Sequence, residues 1–99
     1  MKVRISELAA QHLVAAYEFL QSSSPAAARS QMNRIFDAID RLKQYPHAGR
    51  KGRISGTREL VILRTPFLAA YVLEAGEVHV VAVLHGAQRW PESLPKLQE

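Results

Sequence analysis

The 99-residue chain reads as an α+β fold: a short N-terminal strand, then an antiparallel helical hairpin packed on a three- to four-stranded, mainly antiparallel sheet. Three observations predict it. The first half carries apolar residues at three- and four-residue spacing, the period of a helix face. From Arg58 to His85 the pattern changes to strand-like runs divided by turn signals. Between the halves lies a loop rich in Gly, Arg and Lys, Gly49 to Thr57.

Each element has its own local reason. Val3 and Ile5 mark a short first strand. Ser6 is an N-cap, its hydroxyl able to take an orphan helix N–H. From Glu7 to about Gln21, the residues Ala9, Leu13, Ala16, Tyr17 and Leu20 share one stripe. Ser22-Ser23-Ser24 interrupts that helix. Ser24 caps a second one, with Pro25 at its first position, where a missing N–H has no consequence. Ala28, Met32, Ile35, Phe36, Ile39 and Leu42 recur at helical spacing up to about Gln44. So short a link makes the pair an antiparallel hairpin. Pro46 and Gly49 end the helical part.

The strand half follows. Arg58 to Arg64 alternates, Thr65-Pro66 turns, and Phe67 to Leu73 is a second run. Glu74-Ala75-Gly76-Glu77 is a hairpin loop. Val78 to His85 is the third run, and its β-branched content marks a central strand. Links this short require antiparallel neighbours. Apolar residues on both faces of the last run imply that helices cover one side, and the tail or a partner covers part of the other.

Composition bounds the function. Residues 1–99 are expected to form one domain. With 47% apolar residues and no cysteine, a core can form without disulfides or a metal. No run approaches the roughly 18 apolar residues of a membrane span, and no signal-type stretch follows Met1, so a cytoplasmic location is expected. The net charge is +4, but residues 41–64 alone hold Arg41, Lys43, Arg50, Lys51, Arg53, Arg58 and Arg64 against Glu59, a net of +6. A field that local steers the chain toward nucleic acid or an acidic protein surface. No glycine pattern fits a phosphate-binding loop, no serine or cysteine sits in a nucleophile setting, and the histidines lack zinc-type spacing. No cofactor and no metal are expected.

Tyr45-Pro46-His47-Ala48-Gly49-Arg50, then Gly56-Thr57-Arg58-Glu59-Leu60, Pro66, Tyr71 and Val83-Leu84-His85-Gly86-Ala87-Gln88 stand in this order after a strand and a helical hairpin. In that order they resemble the RelE/ParE superfamily, the toxins of bacterial type II toxin–antitoxin pairs, over roughly residues 3 to 91. The resemblance implies a helical hairpin on an antiparallel sheet and a cognate antitoxin that wraps the toxin in a hetero-oligomer. It implies one of two activities: ribosome-dependent mRNA cleavage in RelE-like members, or poisoning of DNA gyrase in ParE-like members.

Cleavage by 2′-hydroxyl attack needs a base, an acid and cations for the phosphorane charge. By resemblance, Lys51 and Arg53 fall where loop bases would stand, Arg58 on the first-strand arginine, and His85 near the C-terminal acid–base residue. The tail offers Trp90 and no tyrosine. Strand parity puts Glu59 on the face opposite Arg58, so Glu59 reads as a surface residue paired with a neighbouring cation. Arg58 and Arg64 share a strand face with Leu60 and Ile62, and either grip an anion or reach solvent past an apolar face. Arg50, Lys51 and Arg53 read as an exposed loop, solvated or in contact with a target. His79 has the same strand parity as His85 but stands roughly 20 Å away, and His12 and His47 lie elsewhere. Trp90 with Pro91 either stacks on a base or packs the tail onto the sheet.

The Pro-x-x-Gly-Arg turn and the His-Gly-Ala ending resemble the ParE-like branch. The expectation is a toxin that causes growth arrest and plasmid stabilisation by inhibiting DNA gyrase through binding, with Arg50, Lys51, Arg53, Arg58, Arg64 and Trp90 as target contacts. The alternative is an endonuclease acting on the ribosome and its mRNA, centred on Arg58 and His85. A third reading is a non-toxic protein that binds an antitoxin and helps it repress their operon.

Overall fold

The computed structural model describes residues 1–86 and Trp90. Strand β1 (Lys2–Ile5) leads into α1 (Glu7–Ser23) and α2 (Pro25–Arg41). Strands β2 (Arg50–Lys51), β3 (Arg58–Val61), β4 (Phe67–Glu74) and β5 (Glu77–His85) follow. The sheet order is β1-β5-β4-β3-β2. The expected α+β layout holds. The sheet reaches five strands because Arg50–Lys51, read from sequence as loop, pairs with Arg58 and Glu59. It is mixed because β1 runs parallel to β5.

Ser6 joins strand to helix. Its Oγ accepts the Ala9 N–H at 3.0 Å and donates to Val81 O at 3.2 Å, while its own N–H reaches Val80 O at 3.0 Å. Ser24 alone forms the link between the helices. Its N–H closes α1 on Leu20 O at 3.2 Å, and its hydroxyl opens α2 by accepting from Ala27 at 3.2 Å. A residue with this extended backbone ends one helix and caps the next with no spare chain.

The helices cover one sheet face, where Ala16, Leu20, Ile35, Ile39 and Leu42 meet Ile62, Phe67, Tyr71, Val78, Val80 and Val83. Tyr17 and Phe36 depart from their expected stripes: they are 44% and 50% exposed. Small alanines at 9, 16 and 28 bring the helices close to the sheet, and the larger rings fall at the margins of the apolar arc.

The opposite face carries a second cluster of Ala70, Val81, Ala82 and Leu84, joined by Val72 and Trp90. Its form depends on a bulge. Ala70 opposes Ala82 and Tyr71 opposes Val80, so Val81 is an extra residue on β5. The bulge overturns the shared parity of His79 and His85. His85 packs on Phe19 of α1, whereas His79 sits across from Val72 of the far cluster.

Strand β3 stops at Val61, short of the expected Arg64. Ile62 O accepts from Thr65 N at 3.2 Å and Thr65 Oγ1 at 2.9 Å, and Arg64 takes φ 64°. Arg64 is therefore a turn residue and does not share a strand face with Arg58. The β4–β5 hairpin turns through Ala75 and Gly76 at φ 54° and 73°, the double positive φ of a type I′ turn.

Candidate functional site

The basic middle of the chain folds around two acceptors. The first is the backbone of the Pro46–Gly49 turn. The Tyr71 hydroxyl, projecting from β4, donates to Pro46 O at 2.7 Å and accepts from Gly49 N at 2.9 Å. Arg58 Nη1 donates to Gly49 O at 2.6 Å. A Cβ on Gly49 would lie 2.7 Å from Tyr71 Cε1 and 2.9 Å from Glu59 O, so only glycine admits this approach. Burial pushes the Tyr71 hydroxyl pKa up, partly offset by the Gly49 hydrogen bond and the Arg58 charge. The phenol stays protonated and serves as both donor and acceptor.

The second acceptor is Glu59, on the other face of β3. It is not the surface residue expected, since it is only 2% exposed. Its carboxylate accepts from Arg53 N at 2.8 Å, Arg53 Nε at 3.0 Å, Arg53 Nη2 at 3.2 Å and Arg50 Nη2 at 3.2 Å. Burial pushes its pKa up, but the hydrogen bonds and charge of Arg53, together with Arg50, outweigh burial and hold it below the usual carboxylate value. The expected pairing with a cation is therefore present, with two arginines at a buried site.

Arg53 also meets Trp90. Its guanidinium carbon is 3.8 Å from the centroid of the Trp90 ring, a cation–π contact. The half-buried indole rests on the second cluster. Its Nε1–H is buried without an acceptor among the described residues. Residues 87–89 and 91–99, including Ala87, Gln88 and Pro91 of the sequence motifs, lie outside the described residues. Glu59, Arg53 and Trp90 thus form one stack whose outer surface is cationic: Arg50 and Arg53 keep 60% and 45% of their side chains exposed, and Lys51 is exposed beside them.

The histidines fall elsewhere. His85 packs edge-on against Phe67 at 5.5 Å and Phe19 at 6.1 Å. It shares a cavity of about 310 Å³ with His12, a residue far from it in sequence. His12 Nδ1 accepts the Val83 N–H at 3.1 Å, and burial lowers its pKa, so the ring is held neutral with Nδ1 unprotonated. His79 bonds Glu77 Oε1 at 3.0 Å. Among the described residues no group of three or more His, Asp or Glu side chains is placed to hold a metal ion, and no helix is long and apolar enough to cross a membrane.

Arg58 and His85 are not brought together. Arg58 pairs across β3–β4 with Tyr71, and His85 across β4–β5 with Phe67. Four residues along β4 and two strand spacings separate their Cα atoms by ~16 Å. Arg58 closes a turn, and His85 packs at the far end of the helix-covered face.

Comparison with known proteins agrees with this architecture. Residues 3–90 match the model of the ParE toxin of the type II toxin–antitoxin system parDE. A putative toxin, Y4kP of Sinorhizobium fredii, is 38% identical over 76 residues, 77% of this chain and 78% of the relative. Toxin RelE2 of Caulobacter vibrioides is 34% identical over 76 residues, 77% of this chain and 84% of its own. A chain from the structure of the chromosomal ParDE system of P. aeruginosa superposes with TM-score 0.79 at 25% identity, over 86% of this chain and 95% of that one. The match across both helices and the whole sheet makes this chain a member of the ParE toxin family within the RelE/ParE superfamily, the toxin half of a type II toxin–antitoxin pair.

Proposed function

We propose that this toxin arrests growth by binding and poisoning DNA gyrase in the cytoplasm, and that its cognate antitoxin relieves the arrest. The observation that carries this reading is that Arg58 is engaged with Gly49 O in the Pro46–Gly49 turn while His85 packs edge-on against Phe19 and Phe67. A nuclease needs its cation and its proton-transferring group turned to one phosphate, and the separate packing of these two side chains favours a binding toxin over that role. A binding toxin needs instead a firm, charged surface. Arg50, Lys51 and Arg53 supply it, anchored from below by Glu59 and flanked by Trp90. Such a surface suits the acidic protein and phosphate surroundings of a topoisomerase on DNA. Arg58 and Arg64, also expected as target contacts, lie apart from that surface: Arg58 closes the Pro46–Gly49 turn from the other strand face, and Arg64 stands in the β3–β4 turn.

The test is gyrase supercoiling and DNA cleavage with purified toxin, titrated with and without antitoxin. Inhibition with trapped cleaved DNA, relieved by antitoxin, is the expected result. Unchanged supercoiling and cleavage from folded protein would exclude it.

The similarity to the relative named Toxin RelE2 favours a second reading, cleavage of mRNA on the ribosome. In that case His85→Ala abolishes cleavage in translating ribosomes while leaving the fold intact. Undiminished cleavage by that variant would remove His85 from the mechanism.

A further inference from the structure

The turn end of the β4–β5 hairpin holds a cluster that neither the basic stack nor the His12–His85 cavity uses. Glu74 pairs with Glu77 across the strands, and Val72 with His79. Alternation along each strand therefore sets Glu74, Glu77 and His79 on one face of the sheet. His79 is only 7% exposed. Its Nε2 lies 3.0 Å from Glu77 Oε1, and Arg4 Nη1 reaches the same oxygen at 3.7 Å. Its Nδ1 lies 3.7 Å from Glu74 Oε1, too far for a hydrogen bond. That nitrogen is buried and has no hydrogen-bond partner among the described residues. The Glu74 side chain, by contrast, is 69% exposed.

Ring chemistry defines what Nδ1 can do. A carboxylate only accepts, so the Glu77 contact makes Nε2 the N–H donor, and the neutral ring keeps its lone pair on Nδ1. A buried acceptor with no donor is uncommon in a folded protein. An imidazole with one N–H held by a carboxylate and its other nitrogen bare has the arrangement of a metal-ligating histidine. The gap to Glu74 has the width of an ion. With about 2.0–2.1 Å to nitrogen and 2.0–2.2 Å to oxygen, a metal bridging the 3.7 Å between Nδ1 and Oε1 subtends ~125°, the angle of a distorted tetrahedron.

We infer that His79 Nδ1 and the Glu74 carboxylate form a binding site for a divalent transition-metal ion such as Zn²⁺. Donor type selects the ion. Imidazole with a carboxylate suits zinc and its neighbours, whereas Mg²⁺ and Ca²⁺ take all-oxygen sets. Two protein ligands leave the other positions to solvent, which enters past the exposed Glu74 side chain. Glu77 is a positioning residue: it turns the ring and is itself held by Arg4 of β1. A bound ion clips β4 to β5 across the Ala75–Gly76 turn. The inference is independent of whether gyrase or the ribosome is the toxin's target.

ZnCl₂ titrated into the purified full-length toxin tests the site, with the His79 ring resonances and the melting temperature as readouts. The ring signals should shift, the melting temperature should rise with Zn²⁺ concentration, and amide exchange at residues 72–79 should slow. MgCl₂ should do none of these. Glu74→Gln, at an exposed side chain, should fold as wild type does and weaken Zn²⁺ binding at least tenfold. Glu77→Gln should weaken it about 10–100-fold. In the metal-free protein, the ring nitrogen shifts of His79 should report a proton on Nε2 alone in wild type and a tautomer mixture in Glu77→Gln. His47→Ala, at an exposed position elsewhere, should leave Zn²⁺ binding unchanged. Unmoved His79 signals at a large molar excess of Zn²⁺ would overturn the proposal and leave Glu74 an ion-pair neighbour of the ring. Undiminished binding by Glu74→Gln would overturn it too, as would binding lost in His47→Ala, which would place the ion at another histidine.

Discussion

Glu59 takes three hydrogen bonds from Arg53 alone, through the backbone N–H, Nε and Nη2, at 2.8, 3.0 and 3.2 Å. One carboxylate therefore sets both the path of the loop backbone and the plane of the guanidinium that covers Trp90. A basic loop that would otherwise sample many shapes is held in one.

Glu59→Gln should destabilise the protein by about 1–3 kcal/mol, since the arginines lose a charge-assisted acceptor but remain partly solvated. The folded pKa lies below the usual 4.5. The carboxylate thus contributes stability above pH 4.5, and that contribution is lost as pH falls through the folded value. Urea denaturation should show the wild type–variant gap narrowing in acid. A gap that stays constant to pH 3 would contradict the assignment.

Tyr71→Phe removes the donor to Pro46 O and the acceptor for Gly49 N while keeping the ring. Leaving two turn groups unpaired should cost about 2–4 kcal/mol. Gly49→Ala, which forces a Cβ against the same ring, should be at least as harmful. Thermal denaturation of both variants measures this, and wild-type melting temperatures would refute the turn's dependence on Tyr71.

Protonation of His12 would destroy the acceptor for Val83 N–H. The folded pKa is lowered from 6.5, so this residue contributes stability above pH 6.5 that is lost as pH falls through the folded value. Stability should decline on acidification from pH 7 to 5. His12→Ala should cost about 1–2 kcal/mol at pH 7 and flatten that decline. An unaltered pH profile in the variant would contradict it.

Ala75→Asn should stabilise the β4–β5 hairpin by about 0.5–1 kcal/mol, because Asn-Gly suits a type I′ turn and Ala at φ 54° does not. Arg64→Gly relieves similar strain but adds freedom to the unfolded chain, so its net effect should lie between zero and about 1 kcal/mol of stabilisation. Denaturant midpoints report both, and a loss of stability in either would refute the strain argument.

Local chemistry made much of this fold legible. Ser6 and Ser24 announce helix starts because a hydroxyl at that point has one useful acceptor role, and Ala75-Gly76 announces a hairpin. What escaped is what depends on partners distant in sequence. Whether β1 runs parallel or antiparallel is decided by where α1 must cross the sheet, which periodicity does not contain. The Val81 bulge has no residue signature, yet it reverses the facing of everything after it on β5, including His85. His12 looked isolated because helix positions and strand ends meet only in three dimensions. At the site, parity correctly separated Arg58 from Glu59. The burial of Glu59 escaped because Arg53, six residues earlier, folds back over it.

The parallel pairing of β1 with β5 has a consequence for synthesis. Lys2 aligns with Glu77 and Ile5 with Val80, so β1 leaves the ribosome well before β5 and waits for it to acquire a neighbour. Contacts this remote in sequence make folding slow. A partly made chain carries its helical hairpin and the Ser6 cap with no Val80 or Val81 to receive them. A cell translating this chain therefore meets the folded toxin only after nearly all the described residues have emerged, an interval in which antitoxin already present can be waiting.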